Sequence, residues 1–327
     1  MGKKKIKHLG KKKRRNKGIG KLIKKISILL ATLISLITFI YLDKHIKDLY
    51  KGINIEESAI EFYIDMADEI GNKEVQLSWK ELMAIDMVRY DKNLTSVKKK
   101  DVIDIGKRFV KEEINENGDL IKKVRSFDKV IKEIGFDKNK QNLAIKYLED
   151  LKGVSLSGNT LRGETEKIKF IKNVSSLSYE NYEKYNILPS ITVGQAILES
   201  NWGNSDLSKY SNNIFGIKAD EGWNGEIVKL NTSENYNDKV LATFRKYDSI
   251  KDSIKDHGKF LNENKRYEEK GLFKAKHYII QAQILEDAGY ATKKNKNGEL
   301  IYADTLINVI REYNLQLLDR EIQEIEY

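Results

Sequence analysis

Between about Asn54 and Leu151, apolar residues recur three and four positions apart among charged ones, the spacing of helices that bury one stripe. Val102, Ile103, Ile105 and Val110 make one such stripe; Val130, Ile131 and Ile134 make another, and Leu143, Ile145 and Leu148 a third beyond a turn near Gly135. Ser78-Trp79-Lys80-Glu81 has the form of a capping box ahead of Leu82, Met83, Ile85, Met87 and Val88, so a helix starts there. The stretch shows no hairpin turn signal. Residues 54–151 therefore read as a small helical bundle, a spacer or a domain for a protein partner, with Asp86 a structural residue inside it.

From Gly153 to Gly163 the chain turns rich in Gly, Ser and polar residues, which sets a linker at 152–165 and opens a second domain at 166–317, followed by a short tail at 318–327. In that domain Pro189, the only proline, stands before Ser190, a candidate N-cap. Val193, Ala196 and Ile197 form the stripe of a helix that Gly203 can stop. Past the turn Gly222-Trp223-Asn224-Gly225, Val228, Leu230 and Thr232 alternate with Ile227, Lys229 and Asn231; Val240, Ala242 and Phe244 alternate again after Asn237-Asp238. That is a hairpin.

One further run breaks the pattern. Ile26 to Leu42 is 17 residues without a charge, at the short end of the range of about 17–25 that spans a bilayer. Residues 1–25 before it hold eleven Lys, two Arg and no acid, while the chain as a whole is +10, so the basicity belongs to a tail and the remainder is slightly acidic. A basic block ahead of an apolar run predicts a cytoplasmic tail, a transmembrane signal anchor at 26–42 and everything beyond it outside the cell. A cleaved signal peptide is the alternative, but Tyr41-Leu42-Asp43-Lys44-His45 offers no small-x-small site. The tail is accounted for by topology and anionic lipid, and no nucleic-acid role is assigned to it. The absence of cysteine excludes disulfides, thiol nucleophiles and cysteine-ligated zinc.

Candidate chemistry centres on Glu199. It ends the Pro189 helix, where the macrodipole disfavours a carboxylate, and Trp202 three residues on can lie beside its carboxyl. Both effects favour the neutral acid that a glycosidase uses to protonate a leaving oxygen, although a solvated carboxylate at a helix end carries the same sequence. Ala196-Ile197-Leu198-Glu199-Ser200-Asn201-Trp202-Gly203 resembles the A-x-L-E-S-x-W-G signature of the N-acetylglucosaminidases of glycoside hydrolase family 73, the flagellar-muramidase and autolysin-type peptidoglycan hydrolases. Asn212-Asn213-Ile214-Phe215-Gly216-Ile217-Lys218 is similar to its N-L-F-G-I-K element, Thr232-Ser233-Glu234 to its T-x-E, Phe244-Arg245-Lys246-Tyr247-Asp248-Ser249 to F-R-x-Y-x-S, and Ala288-Gly289-Tyr290-Ala291-Thr292 to A-G-Y-A-T. Lys293 stands where the family usually has an acid, and the polar insertion Lys294 to Leu300 follows.

The resemblance covers a little under half the chain. It implies a mainly helical α+β fold, with a lysozyme-like catalytic domain and a small β-hairpin lobe behind the helical domain and the transmembrane helix. It gives Glu199 the role of catalytic acid, makes Glu234 a candidate second carboxylate that could equally be a strand-end charge, and makes Tyr290 a cleft tyrosine that positions the acetamido group or a water. Trp202, Asn213, Phe215, Trp223 and Tyr267 are the candidate substrate-binding residues. His257 reads as a packing residue, and neither metal nor cofactor is expected. The implied activity is endo-β-N-acetylglucosaminidase cleavage of peptidoglycan strands between N-acetylglucosamine and N-acetylmuramic acid. A lytic transglycosylase or muramidase, and an inactive wall-binding scaffold, are the alternatives.

Overall fold

The computed structural model describes residues 55–324 other than 116, 157–164 and 235–237, with the backbone alone at 165, 232–234 and 238–240. The basic tail, the apolar run 26–42 and most of the linker lie outside the described residues; among those described, no helix is long and apolar enough to cross a membrane.

The first lobe comprises α1 (Glu57–Gly71), α2 (Trp79–Arg89), α3 (Lys99–Phe109), a hairpin of β1 (Val110–Ile114) and β2 (Leu120–Val124), α4 (Phe127–Glu133) and α5 (Lys138–Leu151). Helix α2 is buried nearly all round within a shell of the others, its charged Lys80 and Asp86 included, and Trp79, Met83 and Ile85 are fully buried. Each such side chain contributes roughly 1.5–3 kcal/mol by leaving water. The helix starts as expected: the Glu81 amide donates to Ser78 Oγ at 3.3 Å. Glu81 does not close the box but turns toward the second lobe. Asp86 is buried and structural, accepting from the Tyr63 hydroxyl and Arg89, each at 2.8 Å.

The β1–β2 hairpin corrects the expectation of an all-helical stretch. Its turn is closed by Asn115, whose Oδ1 accepts from the amides of Asn117 and Asp119, with Gly118 at φ 85°. Charged residues at half of the strand positions hide the alternation, and Glu113 pairs across the ladder with Lys123 instead of turning an apolar face inward.

The second lobe contains α6 (Thr165–Tyr185), α7 (Pro189–Ser200), α8 (Asp206–Ser211), the antiparallel pair β3 (Ile227–Glu234) and β4 (Asp238–Arg245), α9 (Ile250–Glu263), α10 (Lys265–Glu269), α11 (Tyr278–Asp287), α12 (Tyr302–Glu312) and α13 (Gln316–Gln323). Helix α7 is its axis, buried from Pro189 to Ile197. At Gly194 a Cβ would stand 2.7 Å from Leu306 Cδ1, so only glycine lets α12 approach this closely. Ser190 is not the N-cap. Pro189, lacking an N–H and fixed in φ, takes the first helical position after Leu188, and Ser190 then donates from its amide at 3.0 Å and its hydroxyl at 2.5 Å to the two oxygens of Asp319 on α13. A carboxylate from outside the segment thus caps α7.

The two lobes belong to one compact unit, residues 53–327. Asp68 of α1 accepts from the Tyr278 hydroxyl and pairs with Arg311, both at 2.6 Å. Trp79 Nε1 donates to Asn314 Oδ1 at 3.1 Å, and Arg320, nearly fully buried, binds Glu81 at 3.1 Å and donates to the Arg125 carbonyl at 3.0 Å. Asp319 and Arg320 are consecutive, so α13 holds α7 with one residue and the first lobe with the next.

Candidate active site

Helix α7 ends in three consecutive residues of positive φ, Asn201, Trp202 and Gly203, which reverse the chain and leave Glu199 on the last turn, partly buried. The carboxyl has one side-chain partner: the Tyr302 hydroxyl donates to Oε1 at 3.2 Å. Gln195, one turn back on the same face, donates from Nε2 to the Tyr302 oxygen at 2.9 Å. Tyr290 stacks on Tyr302 with ring centres 5.3 Å apart, Tyr267 stands 6.4 Å from Tyr290, and His257 meets Tyr290 edge-on at 6.4 Å. Phe215 stacks on His257 at 3.9 Å and 11°. These rings form a continuous wall beside one carboxyl group.

Burial in that wall pushes the Glu199 carboxyl up to about 7, and the Tyr302 hydrogen bond opposes the shift only in part. Tyr290 and Tyr302 are held well above the usual tyrosine value by burial and by Glu199 itself, so both stay neutral phenols. His257 is fully buried with neither nitrogen hydrogen-bonded, and burial drives it down to about 3. It is a neutral packing ring. Among the described residues no three His, Cys, Asp or Glu side chains are grouped to hold a metal ion.

The other expected site residues divide. Tyr290 lies in the wall with Glu199. Phe215 and Tyr267 are buried and shape the wall from behind. Asn213 is spent internally, donating to the Ile217 and Arg245 carbonyls and accepting from the Ile217 amide, so its work is to hold the 213–217 loop against β4. Trp223 sits at the foot of the β3–β4 hairpin, donating to the Glu226 carbonyl at 2.9 Å beneath the Arg245 guanidinium. Trp202 packs against Phe170 and Tyr313, 6.0 and 4.7 Å away, with the Lys167 ammonium over its ring. The ring that bonds the Glu199 carboxyl is Tyr302, with Tyr290 stacked on it. Glu234 is the last residue of β3, paired in the backbone with Asp238, and its side chain lies outside the described residues. Gln195 and Tyr302 were not singled out from sequence; the four-residue spacing of Gln195 and Glu199 was the available signal.

Residues 176–315 match the model of the glucosaminidase family, described as mannosyl-glycoprotein endo-beta-N-acetylglucosaminidase, and this stretch is a glucosaminidase-family domain of glycoside hydrolase family 73. Over 166 residues the chain is 36% identical to the exo-glucosaminidase LytG of Bacillus subtilis, covering 48% of this chain and 56% of that protein. It is 32% identical over 146 residues to the peptidoglycan hydrolase FlgJ of Vibrio parahaemolyticus, covering 43% of this chain and 45% of the relative. The catalytic domain of the autolysin Auto from Listeria monocytogenes aligns in structure at 36% identity and a TM-score of 0.40, covering 47% of this chain and 88% of that one. The chain spans about half the length of LytG and of this FlgJ.

Proposed function

We propose that this chain is a peptidoglycan hydrolase, an N-acetylglucosaminidase that cleaves the β-1,4 bond between N-acetylglucosamine and N-acetylmuramic acid, with a lysozyme-like catalytic domain held outside the cell by a single-pass anchor at residues 26–42. The observation that carries the reading is Glu199, a partly buried carboxyl raised to about 7 at the mouth of a tyrosine wall. Such a group is half protonated at neutral pH, as general acid catalysis requires. Glu199 gives its proton to the glycosidic oxygen as the bond from that oxygen to C1 breaks, the bonding pair staying on the oxygen. Positive charge on C1 is relieved by Glu234, by a water or by the substrate's acetamido group, with Tyr290 placed to orient either of the last two. The names of LytG and FlgJ support the substrate class, and the uncharged run behind thirteen basic residues supports the anchor.

The deciding experiment is a peptidoglycan zymogram of the full chain with mass spectrometry of the released muropeptides. Wild type should yield reducing N-acetylglucosamine ends. Glu199→Gln should lose at least the roughly 10²-fold that general acids contribute while keeping its circular dichroism spectrum. Clearing by Glu199→Gln at the wild-type rate would remove Glu199 from the chemistry.

A further inference from the structure

A carboxylic acid has two oxygens, and a proton delivered to one bond must sit on the right one. Which oxygen of Glu199 carries it is decided by what faces Oε1. Tyr302 stands at the first position of α12, and the first turn of that helix is pinned by the Ala303 amide donating to Glu286 Oε2 at 3.0 Å. Its ring is stacked on Tyr290, so the hydroxyl oxygen is fixed in place. A phenol has one hydrogen to give and lone pairs to receive. Gln195 Nε2, itself fully buried, donates into that oxygen at 2.9 Å. The phenolic hydrogen is thereby turned to Glu199 Oε1, 3.2 Å away. Two hydrogens do not share one such contact.

We infer that Tyr302, oriented by Gln195, is a positioning residue that confines the acidic proton of Glu199 to Oε2. The inference rests on the reading of Glu199 as the acid. The Tyr302 hydrogen bond also favours the carboxylate over the acid, so it restrains a shift that burial would otherwise carry further. Among the described side chains, the titratable groups facing Glu199 are Tyr302 on α12 and Tyr290 from the loop before it, backed by Tyr267 and the neutral His257. None of these changes charge across the working range, so the alkaline limb of the rate reports Glu199. Gln195 Oε1 is buried without a partner. The opposite amide orientation would turn the carbonyl to Tyr302, take the phenolic hydrogen and leave Tyr302 to accept from Glu199. The two arrangements give opposite signs.

The test is the pH profile of kcat/KM for the full-length Tyr302→Phe protein on peptidoglycan from pH 5 to 9, with Glu199→Gln and wild type run in parallel. Removing a donor to a charged carboxylate should move the alkaline limb upward by about one pH unit, with the plateau rate down about tenfold. Gln195→Met, which removes the orienting donor and keeps the stem, should move the limb the same way by less, and it decides the matter if Tyr302→Phe does not fold. A limb that stays in place or moves down while Glu199→Gln is inert overturns the role of Tyr302 and leaves Glu199 as the acid. A fully active Glu199→Gln overturns both.

Discussion

At Glu199 the cost of setting a carboxylate among aromatic rings is offset at one atom, by one hydroxyl, and the balance leaves the group titrating at about 7. The sequence pointed to this residue through helix position and motif, but it named the indole of Trp202 as the desolvating surface. The chain reversal at Asn201–Gly203 packs that indole against Phe170 and Tyr313, and the hydroxyl that reaches the carboxyl comes from Tyr302, 103 positions on, which no local pattern links to Glu199. Glu234, on the β-lobe, faces a different demand. As a nucleophile its carboxyl should stand about 5–5.5 Å from that of Glu199, and as the base for an attacking water about 6.5–9.5 Å. Because a strand-end residue must reach across a groove wide enough for a sugar ring, the longer separation is expected. Glu234→Gln should then slow muropeptide release less than Glu199→Gln does. Wild-type turnover by Glu234→Gln would leave the water or the acetamido group to do the work.

Among the elements, α13 has the largest reach for its length. Asp319 caps α7 from its N-terminal end while Glu199 works at the other, and burial pushes Asp319 up to about 7 against the hydrogen bonds from Ser190. Its folded value lies above the ordinary 3.8, so the stability it contributes is complete below about pH 4 and is lost as pH rises toward 7. Asp319→Asn lacks that term. The difference in melting temperature between wild type and Asp319→Asn should be larger at pH 5 than at pH 8 in a thermal scan, and an equal difference at both would mean that Asp319 does not titrate in this window. The α7 stripe, the Ser78 cap and the β3–β4 alternation were legible because each is written in one short continuous stretch of chain. The cap on α7 was not, because its carboxylate lies 129 positions from Ser190. The β1–β2 hairpin escaped because lysine and glutamate occupy the strand positions where apolar residues would have shown the period.

For the molecule as a whole, the catalytic domain could be read from motifs, whereas the docking of the first lobe could not. Asp68 pairs with Arg311 across 243 positions and Glu81 with Arg320 across 239, separations that no local pattern connects. The proposed anchor makes its own prediction: protease added to intact protoplasts should digest everything beyond Leu42 and leave a small membrane-bound N-terminal fragment. A mature protein in the medium beginning after Leu42 would instead mean a cleaved leader. The family match ends at residue 315, and α13 begins at 316. A border drawn by ancestry therefore falls one residue short of the helix that holds the catalytic axis, and that helix in turn leans on a lobe no motif describes. Residues 176–315 moved alone into another protein would carry Glu199 across but leave behind Asp319, the carboxylate that caps the helix Glu199 ends, so such a graft should melt lower than the full chain.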